Sequence, residues 1–301
     1  MIDVAVVGSL HLDIMVKAPR LPARDETLMG SAWRYKCGGK GGNQAVAAAR
    51  FGARTGFGGR TGDDDFGQRL RRNLAAAGVD TGCVGVDFDR GSGMSVAIEE
   101  QAGEYGAVVV SGTNLAIEPG TITRDWAALW TCKVLLLQNE IPEAVNLAAA
   151  TLARNAGATI ILNAAPARPM ADSLFGLIDV LIVNRVEAAM MTGTTDRSVA
   201  LQRLHARGCD VVLTLGGDGL EVMTREGERI AIPALAVEFL ASHGAGDCFC
   251  GALAARIAQG DDLLAACRFA RNAAGLFVST PEDAHDQMTP AAVTALGAAS
   301  P

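Results

Sequence analysis

Residues 242–251, with the sequence SHGAGDCFCG, place a glycine-rich turn and a carboxylate directly before a helical run. A Gly-Ala-Gly turn that opens a helix leaves backbone N–H groups unpaired, and together with the helix dipole these groups attract an anion. Asp247 would repel a tightly held phosphate, but it could take a proton from an attacking hydroxyl group. Aspartate is also a favoured N-cap residue. The local pattern therefore leaves two roles open for Asp247, general base and N-cap.

A second glycine-rich stretch, residues 37–44 with the sequence CGGKGGNQ, precedes an alanine-rich run. Its glycines allow the backbone to approach a ligand closely, and Lys40 and Asn43 supply hydrogen-bond donors. The stretch is not a P-loop, since the G-x-x-x-x-G-K-[ST] pattern is absent. No G-x-G-x-x-G pattern follows the first apolar run, which disfavours a nicotinamide dehydrogenase. A strained turn with a solvated lysine is the alternative.

The third stretch begins at Asn184 and ends at Glu187, directly after an apolar run. The two side chains, three residues apart at a helix start, can face the same direction. They could position metal-bound water near phosphates, because Mg²⁺ keeps several waters and takes few protein ligands. They also form an acceptable helix start without any metal. Arg185, between them, is expected to be solvated.

Five short apolar runs must hold these stretches in place: residues 4–7, 134–138, 159–163, 179–183 and 211–215. They do not alternate with polar residues, which is typical of strands buried on both faces. Alanine-rich helical stretches accompany them at residues 42–51, 64–77, 143–155, 196–207 and 245–259. This order predicts a mainly parallel sheet with helices on both faces and ligands at the carboxyl ends of the strands. Residues 14–36 and 93–111 do not fit the alternation and predict a separate lid of antiparallel strands.

The composition limits the classes of partner. The 301 residues include 26 basic and 33 acidic ones, which gives a net charge of −7 at pH 7. Proteins that bind the phosphate backbone of nucleic acids normally carry a basic surplus, so nucleic acid is not an expected partner. No apolar run reaches the ~18 residues of a membrane span, and no signal peptide is evident. We therefore expect a cytoplasmic protein that does not bind membranes.

Taken together and in order, these stretches resemble the ribokinase (PfkB) carbohydrate kinase family. The resemblance covers roughly residues 4–278 and rests on seven features in register: Gly8 and Ser9 with Asp13, residues 38–44, residues 61–64, Asn163 with residues 166–168, Asn184 with Glu187, residues 214–216 and residues 244–247. It implies a single α/β kinase domain over residues 1–301. The implied fold is a three-layer α/β/α sandwich with a mainly parallel central sheet and a small β-sheet lid.

The same resemblance implies an ATP-dependent kinase that phosphorylates a primary hydroxyl of a sugar. Asp247 would be the catalytic base, and the anion hole for the transferring phosphoryl group would consist of Gly244, Ala245 and Gly246. The residues that would hold the sugar are His11, Asp13, Gly39, Lys40, Asn43 and Glu140. The residues along the nucleotide would be Asn184, Thr214, Gly216, Gly219 and Arg271. Asn184 and Glu187 would also organise Mg²⁺ through water, and two lids would clasp into a homodimer.

Two departures from the family pattern leave the substrate and the cation dependence open. His11 stands where asparagine is usual; its imidazole can donate to a hydroxyl but is bulkier. Ribose is the leading substrate. The alternatives are another pentose, a ketohexose, a modified sugar or a nucleoside, and, in a different class, a non-catalytic sugar or nucleotide sensor. Ala241, Ser242 and residues 281–284, with the sequence PEDA, alter both halves of the family's monovalent-cation site. Potassium activation is therefore not expected.

Overall fold

The computed structural model describes residues 1–100, 105–240 and 244–298. The strands are β1 (Val4–Val7), β2 (His11–Ala18), β3 (Ala32–Gly38), β4 (Thr55–Gly62), β5 (Asp80–Asp87), β6 (Met94–Glu100), β7 (Tyr105–Val110), β8 (Val134–Gln138), β9 (Thr159–Asn163), β10 (Val180–Asn184), β11 (Asp210–Thr214), β12 (Leu220–Met223) and β13 (Arg229–Ile232). The helices are α1 (Lys40–Arg50), α2 (Asp65–Ala76), α3 (Pro119–Asp125), α4 (Glu143–Asn155), α5 (Asp172–Phe175), α6 (Arg185–Thr192), α7 (Arg197–His205), α8 (Ala245–Gln259), α9 (Leu263–Val278) and α10 (Pro290–Ala298). Short 3₁₀ segments cover Gly112–Ala116, Ala127–Thr131, Gly216–Asp218 and Glu282–Gln287.

The main sheet has nine strands in the order β13-β12-β11-β10-β9-β8-β1-β4-β5. From β11 to β5 all neighbouring strands run parallel, while β12 and β13 at one edge are antiparallel to their neighbours. All four residues of β1 are buried, as expected for the centre of a sheet that is covered on both faces. The predicted mainly parallel sheet is confirmed.

Alternate residues of the central strands enter two different cores. Val4 and Val6 of β1 contribute to a core with side chains of α1, α2, α8, α9 and α10. Ala5 and Val7 contribute to a second core with side chains of α3, α4, α5, α6 and α7. The alternation follows from the two-residue period of a strand, in which successive side chains point to opposite faces. Helices therefore cover both faces, and the predicted three-layer sandwich is confirmed.

The five predicted strands and five predicted helices of the main layers are all present, with ends shifted by at most two residues. Strand β4 was not among them, because its sequence TGFGGRTG has four glycines and a single apolar side chain. Those glycines are required by packing. A Cβ atom at Gly58 would lie 2.9 Å from the side chains of Leu129 and Trp126. The sequence of β4 is therefore not apolar, because the apolar side chains that bury this strand belong to other elements.

Four strands form a second, smaller sheet in the order β3-β2-β6-β7. These strands overlap the two segments predicted as a lid. The pairs β2–β3 and β6–β7 are antiparallel as expected, but the central pair β2–β6 is parallel, which corrects the prediction of purely antiparallel strands. The pairing places Asp13 of β2 opposite both Lys36 of β3 and Ser95 of β6. Residues in register share a face, so one face of the small sheet is polar at this point.

Within residues 1–100, 105–240 and 244–298, no helix is both long enough and apolar enough to cross a membrane.

Candidate active site

Polar side chains stand at the carboxyl ends of adjacent parallel strands. Gln138 at the end of β8 is in register with Asn163 at the end of β9, and Asn184 at the end of β10 is in register with Thr214 at the end of β11. In open α/β sheets this edge is where ligands bind. The loops that follow these strands and the first turns of α1 and α8 therefore define the candidate site.

Helix α8 begins with Gly244 as its N-cap residue, with a positive φ of 101° that glycine adopts without strain. Ala245, Gly246 and Asp247 are the first three helical residues, and N–H groups in a first helical turn have no intrahelical acceptor. The N-cap alternative for Asp247 is wrong, since Asp247 lies three residues beyond the cap. The N-terminus of a 15-residue helix thus presents donors next to a carboxylate.

The Asp247 side chain is almost fully buried, and each of its oxygens accepts a hydrogen bond from α1. Asn43 Nδ2 donates to Oδ2 at 2.9 Å, and Gln44 Nε2 donates to Oδ1 at 3.0 Å. The structure therefore joins Asn43, expected at the sugar, directly to the candidate base. Gln44 is the last residue of the CGGKGGNQ stretch but is not among the predicted site residues.

Lys40 faces three carboxylates. Burial alone would lower its pKa, but the charges of Asp247, Glu140 and Glu187 outweigh burial and raise it, so the ammonium stays charged. Burial raises the pKa of Asp247, and Lys40 together with its two amide donors opposes that rise only in part. Asp247 is thus a carboxylate with a raised pKa beside a fixed cation. Such a group is suited to accept a proton near neutral pH.

Glu140, after β8, is anchored by the neighbouring turns. The Lys40 backbone N–H donates to Oε2 at 2.9 Å, and the Ser9 hydroxyl donates to the same oxygen. His11 Nδ1 lies 4.0 Å from Oε2, and within the described residues His11 Nε2 is buried without a hydrogen-bond partner. The prediction places His11, Lys40 and Glu140 together at the sugar, and the structure brings these three residues together.

Asp13 lies on the polar face of the small sheet, where Ser95 Oγ donates to Oδ1 at 2.5 Å. A Cβ atom at Gly38 would lie 2.3 Å from Asp13 Oδ2, so the glycine makes room for the carboxylate. Ser95 was not predicted. Its only sequence signal is a polar residue inside the otherwise apolar run MSVAI.

The glycines of residues 38–42 serve protein packing. The Gly39 Cβ position, at φ 84°, lies 2.8 Å from the His11 backbone nitrogen, and that of Gly41 lies 2.7 Å from the Ser9 nitrogen. These glycines let the start of α1 contact the turn between β1 and β2. This close approach of two protein segments is sufficient reason for glycine at residues 39 and 41. That Gly39 also lies at the sugar stays a prediction.

Asn184 and Glu187 form a reciprocal capping box at the start of α6. The Glu187 N–H donates to Asn184 Oδ1 at 2.9 Å, and the Asn184 N–H donates to Glu187 Oε2 at 2.8 Å. The helix-start interpretation of the pair is confirmed. Burial raises the pKa of Glu187, and the Asn184 N–H and Lys40 counteract it. The second carboxylate oxygen, Oε1, accepts no hydrogen bond within the described part of the chain.

Two of the residues expected along the nucleotide make hydrogen-bonded contacts in separate parts of the protein. Thr214 Oγ1 lies 3.4 Å from the Val183 carbonyl oxygen, next to Asn184. Arg271 of α9 donates to the Pro233 carbonyl at 2.9 Å. In the described ranges no hydrogen bond joins these two groups.

Gly216 and Gly219 form the turn after β11, and both have positive φ. A Cβ atom at Gly219 would lie 2.2 Å from the Ile232 carbonyl oxygen, so Gly219 is required where the chain crosses the end of β13. Within the described ranges, no atom other than those of its chain neighbours lies within 4 Å of the Gly216 Cβ position. Of the two, Gly216 has open space beside it.

Arg185, expected to be solvated, forms an ion pair with Asp218 in the same turn region. Both side chains are more than half exposed. Arg185 is therefore largely solvated, as expected. Its partner lies 33 positions away and is brought within reach by the turn between β11 and β12, which sequence spacing does not reveal.

Known proteins that resemble this chain identify the family to which it belongs. A model described as "pfkB family carbohydrate kinase" matches residues 1–290. The chain belongs to this family of carbohydrate kinases. Membership confirms the predicted enzyme class, an ATP-dependent sugar kinase, over the sensor and dehydrogenase alternatives.

Individual relatives agree with the family. A ribokinase of Bacillus subtilis is 34% identical over 276 residues, covering 92% of each chain. A deoxyribokinase of Salmonella typhi is 31% identical over 273 residues, covering 88% of this kinase and 89% of that protein. The structure of Arabidopsis thaliana ribokinase complexed with ribose and ATP superposes with a TM-score of 0.91 at 28% identity, over 98% of both chains.

Proposed function

We propose that this kinase transfers the γ-phosphoryl group of ATP to the primary hydroxyl of ribose, with Asp247 as the catalytic base. One observation carries the proposal: a buried carboxylate, held by two amides and faced by a lysine, lies in the first turn of α8 beside backbone N–H groups that have no acceptor within the helix. That arrangement supplies a proton acceptor and an anion site within one helical turn.

Each side chain then has a defined task. Asp247 takes the proton from the sugar hydroxyl while the hydroxyl oxygen forms a bond to the γ-phosphorus. At the same time the bond from the γ-phosphorus to the leaving oxygen of the β-phosphate breaks. The N–H groups of Gly244, Ala245 and Gly246 stabilise the charge on the transferring oxygens. Alignment of the two reactants supplies the rest of the rate increase.

The sugar pocket that we propose is formed by His11, Asp13, Gly39, Lys40, Asn43 and Glu140. Its charged members are one lysine and two carboxylates, with the Asp247 carboxylate beside them. An acidic sugar would be repelled by this surplus of negative charge, so a neutral sugar fits best. Ribose is preferred because the B. subtilis and A. thaliana relatives are ribokinases. Deoxyribose, other pentoses, ketohexoses and nucleosides are the substrates to compare.

The nucleotide would lie along Asn184, Thr214, Gly216, Gly219 and Arg271. The residues at Asn184 and Glu187 fit a hydrated Mg²⁺ ion, because Glu187 has one carboxylate oxygen without a hydrogen bond and Mg²⁺ needs few protein ligands. When bound, Mg²⁺ neutralises charge on the phosphate oxygens. Glu187 and Asn184 would orient its waters, while the capping box keeps both side chains in place.

The decisive experiment replaces Asp247 by asparagine and measures the phosphorylation of ribose and of a panel of pentoses, ketohexoses and nucleosides. Loss of a general base should lower kcat about 10²- to 10⁴-fold, with little change in the KM for sugar or ATP. Asp262→Asn is the matched control, since Asp262 is the N-cap residue of α9 and asparagine caps a helix equally well. Undiminished kcat in Asp247→Asn would refute the catalytic role, and a better substrate than ribose would refute the substrate.

We also propose that the whole chain is one kinase domain in the cytoplasm, and that its small sheet acts as a lid. The lid face opposite Asp13 supports a homodimer: Trp33 and Val108 there are 64% and 69% exposed. A second copy of this chain would cover that apolar face. Sedimentation of the wild type and of Trp33→Glu tests the dimer, which the charge should dissociate; monomeric wild type at working concentration would refute it.

A further inference from the structure

The candidate base Asp247 is anchored to a chain of buried amides. Gln44 Nε2 donates to Asp247 Oδ1 at 3.0 Å and to Asn163 Oδ1 at 3.1 Å. Gln44 Oε1 accepts from Gln138 Nε2 at 2.8 Å. The backbone carbonyl oxygen of Gln138 accepts from Asn146 Nδ2 at 2.7 Å. Gln44 itself has no exposed surface. Water therefore cannot replace its hydrogen bonds.

The orientation of the Gln44 amide is fixed by chemistry. Two oxygen acceptors lie on one side of it and an N–H donor lies on the other, so the NH₂ group must face Asp247 and Asn163. A reversed amide would bring its oxygen against the carboxylate. Both ends of the Gln44 amide are satisfied in this arrangement, which holds Asp247 Oδ1 in place.

The scaffold behind Gln44 is rigid. Gln138 and Asn163 end adjacent strands of the parallel sheet. Helix α1 lies very close to α8, since a Cβ atom at Gly251 would come within 2.5 Å of the Gln44 carbonyl oxygen. A side chain held between a sheet and a close-packed helix pair loses little entropy when it orients a neighbour.

We propose that Gln44 is a positioning residue for the catalytic base: it pins Oδ1 of Asp247 and leaves Oδ2, on the partly exposed side, as the oxygen that takes the proton. The proposal rests on the proposed role of Asp247. Gln44 does not touch the sugar or the nucleotide. Its loss should therefore change the proton affinity of the base and the orientation of its oxygens.

The expected change has a definite sign. Removing a donor to a carboxylate while burial persists raises the pKa of Asp247. Among the described residues, the other titratable groups that face Asp247 are Lys40 of α1, Glu140 after β8 and Glu187 of α6, together with the buried thiols of Cys248 and Cys250 of α8. None of them changes in the variants below.

The experiment compares the wild type with Gln44→Leu. One readout is the pH dependence of kcat; the other is the ¹³C titration of the Asp247 carboxyl in the ligand-free protein, assigned by its absence in Asp247→Asn. In Gln44→Leu both the acidic limb and the carboxyl titration should move up by about one pH unit. The KM values for sugar and ATP should stay close to those of the wild type.

Gln259→Leu is the matched control. Gln259, the last residue of α8, donates to the Phe51 carbonyl just after α1 at 3.1 Å, so it joins the same two elements at the opposite end of α8. The control loses a similar hydrogen bond and should leave the titration of Asp247 unchanged. If Gln44→Leu does not fold, Gln44→Glu keeps the shape and places a second carboxyl beside Asp247, which should raise the carboxyl titration further.

An unchanged carboxyl titration in the folded Gln44 variant would overturn the positioning role. An equal shift in Gln259→Leu would overturn it as well, because the effect would then report general loosening of the helix pair. The titration needs no turnover, so it separates this result from failure of the proposed function, which Asp247→Asn kinetics reveals by themselves.

Discussion

The Lys36 ammonium lies 2.8 Å from the Glu282 carboxylate. Lys36 belongs to β3 of the small sheet, and Glu282 begins the short 3₁₀ segment after α9. Arg34 of the same strand contacts Glu282 at 3.2 Å, and these two cations lower the pKa of Glu282 against the effect of burial. Ion pairs therefore attach the small sheet to the 3₁₀ segment that follows α9. The last turn of α9 carries Phe277, whose ring lies 3.1 Å from the Cβ position of Gly244 at the start of α8.

Glu282→Gln should weaken the attachment of the proposed lid to the 3₁₀ segment after α9. We expect the sugar KM to rise roughly two- to fivefold with a smaller change in kcat, since a partly exposed ion pair contributes about 0.2–1 kcal/mol. The wild-type KM should also rise with salt, which screens the pair, and that dependence should be weaker in the variant. Glu99→Gln is the control: Glu99 binds Arg34 within the small sheet and, among the described residues, forms no ion pair or hydrogen bond with the 3₁₀ segment. Equal effects of the two variants would contradict the link.

The second prediction concerns potassium. Within residues 281–284, Glu282 already forms ion pairs with Lys36 and Arg34. Ala241 has no carboxylate to offer a cation, and it lies outside the described residues. We expect the same kcat with potassium, sodium or tetramethylammonium as the counterion at constant ionic strength. Initial rates at saturating sugar and ATP test this. Activation by potassium alone would mean that a cation binds elsewhere near the anion hole.

Five of the main-sheet strands, including those that end at the site, could be predicted because each is a short, mostly apolar run. Residues such as Lys40, Asn184 and Asp247 follow those runs or start the next helix, so their position at one edge of the sheet follows from parallel topology. Their roles depended on the family resemblance. Pattern and topology thus predicted which edge of the sheet carries the site, and the resemblance supplied the predicted roles.

Contacts made by packing of distant elements could not be predicted. Gln44 sits in an alanine-rich helix, and nothing local indicates that its amide meets Asp247, 203 positions away. The partner of Lys36 depends on how the small sheet meets the segment after α9. The glycines at residues 39 and 41 suggested ligand contact, whereas the atoms they accommodate belong to the protein.

A third prediction follows from the cation beside the base. Because Lys40 lowers the raised pKa of Asp247, Lys40→Met should move the acidic limb of kcat to higher pH by about one unit or more. Activity requires the ionised carboxylate, so activity is lost as pH falls through this value. The sugar KM should rise in parallel. Lys133→Met, which removes an exposed lysine paired with Asp3, should leave the pH profile unchanged. A profile identical to the wild type in Lys40→Met would contradict the electrostatic assignment.

A fourth prediction addresses sugar choice. His11 is buried beside Glu140, with Nε2 unpartnered in the described part of the chain and its Cδ2 atom 2.6 Å from the Cβ position of Gly93. His11→Asn opens space and should change the ratio of kcat/KM between ketohexoses and ribose in favour of the larger sugars, by about tenfold. His205→Asn, on α7, is the control. An unaltered ratio would show that His11 does not set the size of the pocket.

A fifth prediction separates glycines that serve folding from those that serve catalysis. Gly41→Ala places a Cβ atom 2.7 Å from the Ser9 nitrogen, where backbone must move, so the free energy of unfolding should fall by ~1–3 kcal/mol. Among the described residues, a Cβ atom at Gly246 meets nothing within 4 Å beyond its own helical turn, so Gly246→Ala should fold normally. Its methyl group would instead occupy the space before the anion hole and lower kcat by about 10²-fold. Urea unfolding and saturation kinetics on both variants measure the two effects. A Gly246→Ala enzyme with normal stability and normal kcat would place the phosphoryl group away from the start of α8, and with it the proton acceptor.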